Sequence, residues 1–431
     1  MKTLFILLDA FRHDYINPVD TPFLHAKIST GMYVRKLRSS TGFTQRTEVM
    51  TGTCGATSGR FTMHLFDSEN SPYRFLRGNR KCRWVEREME LLAVLPGVPG
   101  LRWFRRRLRS RAKVQLERFR RTLRRRAEQE VHNAPPGQIP LSMLHEIGFS
   151  EDIRPLSAPG AYDELETIVD VLARENRPFD FLMYPEVECR DDLVLERVAR
   201  GSQIDDWVCF AQFADSDALV HRFGPGSPER RSVAGEIDRK LRVLDAAFGN
   251  DCRWVIAGDH GMTDVQLRVD AAAEIAVAAR NKGVRLGRDY LLFLDSTLAR
   301  FRFKSPRGWG LLDEIKNSQM LAQHGRFLDN ELAAELSIPF GDRRYGDLVW
   351  MADVGVLIDP DYFHDGRSSK GMHGYRSDHD DMKGIFLSFG PGIATGYREE
   401  ARLRDVCPTI CAAAGVAEPA HNEGTTLVRV L

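Results

Sequence analysis

The sequence predicts an α/β fold with a largely parallel central sheet and helices on both faces. Apolar runs of strand length recur, each ending in a polar residue or a glycine turn, near residues 3–9, 179–185, 206–213, 253–259 and 384–390. Because the runs are continuous rather than alternating, they are typical of strands that are buried on both faces, as in parallel sheets. Helix-like segments flank them. Ligands in such folds bind beyond the carboxyl ends of the strands, so the residues after each run are the first candidates for a site.

The composition of the 431 residues is that of a globular protein, with 43% hydrophobic and 28% charged side chains. This argues against a disordered or fibrous chain, and no apolar run reaches the ~18 residues of a membrane span. The opening MKTLFILLDAFRHDY has too short an apolar run for an export signal, so it predicts a buried first strand. Seven cysteines without a CxxC pair favour a reducing compartment. We therefore expect a cytoplasmic protein, with a peripheral position at the membrane as the alternative.

Two regions interrupt the alternation of strands and helices. We predict one catalytic domain over residues 1–431 with a basic, helix-rich insertion at 76–145 and a helical cap subdomain inserted at 303–345. Residues 101–130 contain thirteen Lys and Arg against three Glu, a local net charge of +10, whereas the whole chain has +1. The basic charge is therefore concentrated in the first insertion.

The basic insertion has the apolar spacing of an amphipathic helix. Its apolar residues recur at steps of three and four: Leu101, Phe104, Leu108, Ala112, Leu116, Phe119, Leu123 and Ala127. This stripe predicts either a solvated helix that docks on the domain or an interfacial helix that binds an anionic membrane surface through residues 91–127. Nucleic acid is an unlikely partner, because the sequence contains no recognised nucleic-acid-binding module.

Acidic and imidazole side chains follow the predicted strands. Asp9 comes directly after the first run, and Asp259 and His260 come directly after another. Asp217 and His221 are four residues apart, so they face the same way on a helical turn. His373 is in a glycine-flanked turn, where the backbone can approach an ion closely.

One sheet would bring these three aspartates and three histidines together. Oxygen and nitrogen ligands of this kind suit zinc or manganese. Six ligands are more than one catalytic tetrahedral ion needs, and they suit two ions held about 4 Å apart. We therefore predict two divalent metal ions, with zinc preferred and manganese as the alternative.

The order of these motifs resembles the alkaline phosphatase superfamily, and within it the type I phosphodiesterase and nucleotide pyrophosphatase family. The matching segments are Asp9, Thr51-Gly52, Asp217-x3-His221-x2-Gly224-Pro225, Asp259-His260-Gly261-Met262, Gly371-x-His373-Gly374-Tyr375 and the stretches 346–359, 385–393 and 405–427. The resemblance implies an alkaline phosphatase-like fold. It also implies that Asp217, His221 and His373 hold one ion, while Asp9, Asp259 and His260 hold the other beside the nucleophile.

The same resemblance implies hydrolysis of a phosphodiester or pyrophosphate through a covalent phospho-threonine. The stretch SSTGFTQRTEVMTG (39–52) offers six hydroxyl side chains, but the family position, ten residues before the glycine of the Thr-Gly pair, is Gly42. We predict Thr44 as the nucleophile, because it precedes a helix whose N-terminus favours phosphate. Thr41 is the second candidate, and Thr44 as a simple helix cap is the alternative reading. Arg46 is expected to contact a phosphate oxygen.

The substrate is expected to be a small-molecule or lipid-linked phosphodiester. The family's phosphate-binding asparagine has no equivalent here, and Thr62 or His64 is expected to replace it. Two other functions fit the same residues. One is a phosphomonoesterase or phosphotransferase that acts on a lipid-linked substrate, and the other is a catalytically silent protein that binds metal or phosphate.

Overall fold

The computed structural model describes residues 1–79, 102–188, 190–364 and 369–431, with the side chains of 102–112 left out. Its strands are β1 (Lys2–Leu8), β2 (Met32–Arg38), β3 (His64–Phe66), β4 (Ile147–Phe149), β5 (Phe179–Leu182), β6 (Val208–Phe213), β7 (Cys252–Gly258), β8 (Thr263–Asp264), β9 (Leu267–Val269), β10 (Tyr290–Asp295), β11 (Leu298–Phe303), β12 (Gly325–Phe327), β13 (Leu348–Ala352), β14 (Val356–Ile358), β15 (Gly371–Met372), β16 (Gly384–Phe389) and β17 (Gly396–Arg402).

The α-helices in the described ranges vary from one turn to about seven turns. They are α1 (Pro22–Ile28), α2 (Gln45–Thr51), α3 (Gly55–Ser58), α4 (Arg102–Ala127), α5 (Ile168–Arg174), α6 (Asp191–Arg200), α7 (Asp215–Phe223), α8 (Pro228–Phe248), α9 (Ala271–Asn281), α10 (Pro306–Trp309), α11 (Leu312–Lys316), α12 (Gln319–His324), α13 (Asn330–Glu335) and α14 (Val406–Ala414). Across the described ranges, none of these helices combines the length and apolar character that crossing a bilayer requires.

A seven-stranded sheet forms the centre of the molecule, in the order β17-β2-β16-β7-β1-β6-β5. Strand β1 pairs in parallel with both β6 and β7, and β16 runs antiparallel to its two neighbours. Every residue of β1 and β6 is buried, which is why these strands lack an alternating pattern. The predicted α/β fold with a largely parallel sheet is confirmed.

Helices cover both faces of this sheet. On one face α2, α5 and α14 contribute buried apolar side chains, among them Met50, Ile168 and Ile410. On the other face α1, α6 and α8 contribute Leu24, Val194, Leu241 and their neighbours. Apolar packing thus covers both faces of the inner strands, whereas the edge strand β17 is exposed.

A second, antiparallel sheet of four strands, in the order β10-β11-β13-β12, lies beside the central sheet in the fold. Its strand β12 and the short helices α10 to α13 come from residues 303–345, the segment predicted to be a helical cap. This segment therefore contributes a strand as well as helices, and its buried side chains pack with those of the hairpin β10-β11 that precedes it. The predicted division of the chain into one domain and two insertions stays a prediction.

The basic insertion contains α4, and the apolar stripe of its C-terminal half packs against the protein. Leu123 and Ala127 are buried, and Leu116 and Phe119 are partly buried in the same cluster. Arg120 is also buried and donates to the backbone carbonyls of Gly137 (2.7 Å) and Ile139 (2.8 Å). The described half of the stripe is therefore covered by protein, as the docked-helix alternative predicted. Residues 91–101 and the side chains of 102–112 lie outside the described part.

Candidate metal centre

Six predicted ligands converge at the carboxyl end of three adjacent strands. Asp9 follows β1, while Asp259 and His260 follow β7, its parallel neighbour. Strand β6, on the other side of β1, leads into α7, which contains Asp217 and His221. His373 follows the short strand β15. Because parallel neighbours end at the same edge of a sheet, four separate segments place their side chains in one region.

The distances between ligand atoms fall into two groups that share His260. Ligand atoms of Asp9, Asp259 and His260 lie within 4.8 Å of one another, and so do those of Asp217, His260 and His373. His260 Nε2 is 3.4 Å from Asp9 Oδ1 and 3.8 Å from Asp259 Oδ2. Atoms that bind zinc at about 2.0–2.2 Å with tetrahedral angles lie about 3.3–3.6 Å apart. The observed spacing therefore suits a metal ion.

The second group differs slightly from the ligand set that the resemblance implied. His221 Nε2 is 3.2 Å from Asp217 Oδ1, and His373 Nε2 is 3.8 Å from the same oxygen. The rings of His221 and His373 lie 5.1 Å apart, whereas those of His260 and His373 are stacked at 3.9 Å. His260 therefore lies between the two groups, and His221 reaches the second group through Asp217.

Two of the imidazoles are oriented by backbone carbonyls. His221 Nδ1 is 2.9 Å from the Gly371 carbonyl, and His260 Nδ1 is 2.9 Å from the Gly261 carbonyl. A carbonyl oxygen only accepts hydrogen bonds, so each Nδ1 bears the hydrogen. In the neutral ring this leaves the Nε2 lone pair directed toward the carboxylates, which is the arrangement of a metal-binding histidine.

Burial makes this cluster electrostatically costly without a cation. Burial and the nearby Asp9 raise the pKa of Asp259 to about 7, and against the effect of burial Asp259 and Asp9 raise the pKa of His260 to about 10. Two buried atoms, Asp217 Oδ1 and His373 Nδ1, have no hydrogen-bond partner among the described residues. Carboxylates that repel one another and unpaired ligand atoms fit divalent cations, and oxygen with imidazole nitrogen fits zinc or manganese.

The sequence did not reveal Gln212, which supports this centre. Gln212 Nε2 donates to Asp9 Oδ2 at 2.8 Å, and its Oε1 accepts from the Tyr184 backbone N–H at 3.1 Å. A single polar residue inside the buried strand β6 was the available signal. His364 was also missed: its Nδ1 lies 2.7 Å from Asp361 Oδ2, and its ring is 6.3 Å from that of His221.

The loop that contains the predicted nucleophile packs against the centre. The Phe43 ring is 5.6 Å from the His373 ring. Gly374 has φ +83°, and a Cβ at that position would lie 2.3 Å from the Phe43 ring. Position 374 therefore requires glycine for two reasons, the positive φ of its backbone and the close approach of the Phe43 ring.

Thr44 directly precedes α2, but among the described hydrogen bonds its side chain does not cap the helix. Its Oγ1 lies 3.5 Å from the Arg60 carbonyl, a long contact. By contrast, the Thr41 hydroxyl donates to Ser377 Oγ at 3.1 Å and accepts from the Ser377 backbone N–H at 3.0 Å. Gly42 has φ +122°, and a Cβ there would lie 2.0 Å from the Phe61 carbonyl oxygen. Position 42 therefore excludes a side chain.

The residues proposed to bind phosphate have other partners. The Arg46 guanidinium pairs with Asp152 at 3.0 Å and donates to the Tyr184 carbonyl at 2.6 Å. Its predicted contact with phosphate stays a prediction.

His64 is buried with ring contacts to Phe149 and Phe293, and burial lowers its pKa to about 3. The Thr62 hydroxyl donates to the His64 carbonyl. The burial of His64 among aromatic rings and the hydrogen bond of Thr62 to the His64 backbone carbonyl argue against a phosphate contact, and the expectation that one of them replaces the asparagine stays a prediction.

The family model described as type I phosphodiesterase / nucleotide pyrophosphatase matches residues 158–376. The chain belongs to this family. Its members are phosphodiesterase and pyrophosphatase hydrolases, and the match includes five of the six metal-ligand candidates, from Asp217 to His373, with Asp9 outside it.

Curated relatives of this phosphodiesterase family member include two human proteins. The chain is 25% identical over 238 residues to human ectonucleotide pyrophosphatase/phosphodiesterase family member 7, which is 49% of this chain and 46% of the relative. It is 26% identical over 270 residues to human family member 5, which is 59% of this chain and 52% of the relative. The chain thus spans about half the length of the curated relatives it matches.

Solved structures show the same fold. Murine ectonucleotide pyrophosphatase/phosphodiesterase 5, an inactive threonine-to-alanine variant in complex with AMP, superposes with a TM-score of 0.65 at 18% sequence identity. The superposition covers 98% of this chain and 97% of that chain. The alkaline phosphatase-like fold expected from the resemblance is confirmed.

Proposed function

We propose that this chain hydrolyses a phosphodiester or pyrophosphate bond at two divalent metal ions through a phospho-threonine on Thr44. The observation that supports it most strongly is the pair of ligand groups that meet at His260. A single structural ion would use four ligands and close its coordination, whereas this arrangement provides six ligands from four segments of the chain. Zinc is the preferred ion and manganese the alternative.

In this proposal Asp9, Asp259 and His260 hold one ion, and Asp217, His221 and His373 hold the other. Divalent ions in such centres favour the ionised form of a bound hydroxyl or water and neutralise charge on phosphoryl oxygens. Gln212 fixes Asp9 by occupying one of its carboxylate oxygens. The backbone carbonyls of Gly371 and Gly261 fix the rings of His221 and His260.

Two substitutions at phosphorus complete the proposed reaction. Thr44 Oγ1 forms a bond to phosphorus, the bond from phosphorus to the leaving-group oxygen breaks, and the hydroxyl proton of Thr44 passes through solvent to the leaving-group oxygen. Water then forms a bond to phosphorus, the bond from phosphorus to Thr44 Oγ1 breaks, and one proton of that water restores the hydroxyl as the phosphorylated product leaves. Thr44 is preferred over Thr41 because both hydrogen-bonding roles of the Thr41 hydroxyl are occupied by Ser377. The inactive threonine-to-alanine variant of the murine relative also supports a threonine in this role.

The decisive experiment compares bis-p-nitrophenyl phosphate with p-nitrophenyl phosphate in the presence of zinc or manganese. We expect turnover of the diester, loss of it in Thr44→Ala, and retention of it in Thr41→Ala. A phosphomonoesterase would prefer the monoester, and a silent protein would bind phosphate without turning over either compound. Absence of diester turnover with both ions would overturn the proposal.

The substrate class follows from the family and its relatives. A nucleotide fits because the murine relative was solved with AMP, and a lipid-linked phosphodiester is the alternative.

For a lipid-linked substrate, the exposed side chains of Arg118, Arg121 and Arg125 on α4 offer positive charge to an anionic membrane surface. Binding to vesicles that contain phosphatidylglycerol, weakened by salt, would support it; equal absence of binding at low and high salt would contradict it. The cytoplasmic location stays a prediction.

A further inference from the structure

A polar cavity of about 170 Å³ lies outside the metal centre, and none of the six metal-ligand candidates lines it. Three arginines, Arg38, Arg402 and Arg404, lie in its wall together with Ser40, Glu48 and Ser377. We call it the arginine cavity. Pockets for drug-sized ligands are usually about 300–1,000 Å³, so this one suits a small ion or a single functional group.

The sheet register places two of these arginines side by side. Strands β2 and β17 run parallel, and Arg38 is paired with Arg402 across them. Like charges on neighbouring strands repel one another, although water screens the exposed Arg402 side chain. Arg404 follows two residues after Arg402, at the same end of β17. Three positively charged side chains therefore lie together, and a bound anion would reduce the repulsion between them.

Two carboxylates, those of Glu48 and Glu335, lie in the cavity wall itself, and Glu48 accepts from the Ser40 backbone N–H. Asp378 and Glu335 both pair with Arg376, at 2.7 and 3.0 Å. Glu400 pairs with Lys383 at 2.9 Å. Within the described ranges, none of the ion pairs joins Arg38 or Arg402 to a carboxylate. These two guanidiniums thus make no direct ion pair within the described ranges; Arg402 is exposed to water, while Arg38 is half-buried.

Arg404 is only loosely held by its acidic neighbour. Glu423 lies 3.8 Å from Arg404, while its carboxylate accepts from the Cys54 backbone N–H at 2.6 Å and from the Thr57 hydroxyl at 3.1 Å. The carboxylate is thus committed to the backbone of the neighbouring turn. Arg404 can turn toward an ion in the cavity without breaking a close ion pair.

Hydrogen-bond donors remain available around the cavity. Arg38 makes only long contacts, to Ser377 Oγ and to the Glu335 carbonyl, both at 3.4 Å. A guanidinium has five N–H donors in a planar fork that matches an oxyanion. The serine hydroxyls of the wall add neutral donors. The chemistry of the wall therefore matches a tetrahedral oxyanion better than a carboxylate on a long chain or an apolar group.

We propose that the arginine cavity binds a small multivalent oxyanion of the phosphate class, either inorganic phosphate or the phosphate group of a larger molecule. The bound anion neutralises the facing arginines Arg38 and Arg402. It also stabilises the nucleophile loop, because Ser377 in the cavity wall holds the Thr41 hydroxyl. Glu48, another wall residue, accepts from the Ser40 backbone N–H at 2.6 Å at the start of the same loop.

The test is phosphate binding to the full, metal-loaded chain, measured by calorimetry. We expect two classes of site. Arg402→Ala should weaken one class about tenfold or more, since hydrogen bonds between charged groups are strong, and Asp217→Asn should remove the other. Arg402→Lys, which keeps the charge, should weaken binding less. Arg398→Ala, on the same strand but outside the cavity wall, should bind phosphate as the wild type does.

A second ligand, glycerol 3-phosphate, identifies the source of the anion. Binding of inorganic phosphate alone at the Arg402-dependent site identifies the free ion. Equal binding of both ligands there identifies a phosphate group on a larger molecule. An isotherm of Arg402→Ala that coincides with that of the wild type overturns the proposal. Because binding and not turnover is measured, this result is independent of whether the chain hydrolyses diesters.

Discussion

His260 Nε2 lies 3.4 Å from Asp9 Oδ1, and the same ring stacks at 3.9 Å on His373, which belongs to the other ligand group. One imidazole therefore contacts both halves of the centre. Each group of ligand atoms includes one from His260, but only Nε2 of this ring is free to bind an ion, because Nδ1 donates to the Gly261 carbonyl.

Replacing His260 should remove one metal ion and disturb the other. We expect His260→Ala to lose the ion held with Asp9 and Asp259, to bind the second ion more weakly because His373 loses the ring it stacks on, and to lose diester turnover by about 10²–10³-fold or more, as when a main electrostatic element of an active site is removed. His221→Ala should retain the ion held by Asp9 and Asp259. Metal content by mass spectrometry and diesterase rates check this. Two ions per chain in His260→Ala would contradict the assignment of His260 as a ligand.

Alanine substitutions at Thr41 and Thr44 should have different effects, the first on the free energy of unfolding and the second on turnover. Thr41→Ala leaves the buried Ser377 N–H without its acceptor, so we expect a loss of about 1–3 kcal/mol in the free energy of unfolding with turnover largely retained. Thr44→Ala should leave stability nearly unchanged and abolish turnover. Urea unfolding and diesterase assays on the same preparations measure both. The reverse outcome would make Thr41 the nucleophile.

Gln212 should act through Asp9. Gln212→Leu keeps the buried volume of β6 but frees Asp9 Oδ2, and we expect metal affinity to fall about 10–100-fold, the usual effect of losing a partner that orients a ligand. Competition with a chelator provides the affinity. Gln203→Leu, at an exposed position, is the matched control. Unchanged affinity in Gln212→Leu would show that Asp9 is held by the ion alone.

Glu48 should make stability depend on pH. Burial raises the pKa of Glu48 to about 7, so the folded state retains a proton that the unfolded chain releases near pH 4.5. The free energy of unfolding should therefore fall as pH rises from about 4.5 to 7 and then level off, by at most about 3 kcal/mol. Glu48→Gln keeps an acceptor for Ser40 and should remove this component. If the free energy of unfolding of Glu48→Gln and that of the wild type change with pH in the same way, Glu48 is not the source of the pH dependence.

Much of the centre was predictable because it depends on local pattern. Asp9 and Asp259 directly follow uninterrupted apolar runs, and His373 is marked by its flanking glycines. The parallel order of the strands then brings these ends together by a general rule. Gln212 was missed because its importance depends on contacts with Asp9 and Tyr184, far away in the sequence.

The rest depends on which strands become neighbours. The pairing of Arg38 with Arg402 exists only through the register of β2 and β17, which neither segment specifies alone. The antiparallel sheet of β10 to β13 was missed for a similar reason, since short apolar runs do not identify their partners. Gly42 departs from the family pattern because the Phe61 carbonyl occupies the space of its side chain, a contact that only the folded loop contains.

The missing side chain at Gly374 also limits how this sequence can evolve. Even the smallest substitution there would push the aromatic ring of Phe43 away and, with it, the segment that leads to Thr44. Selection for the position of Thr44, the proposed nucleophile, would thus act on a residue that has no functional group of its own. Variation at position 374 should be tolerated only when position 43 shrinks at the same time.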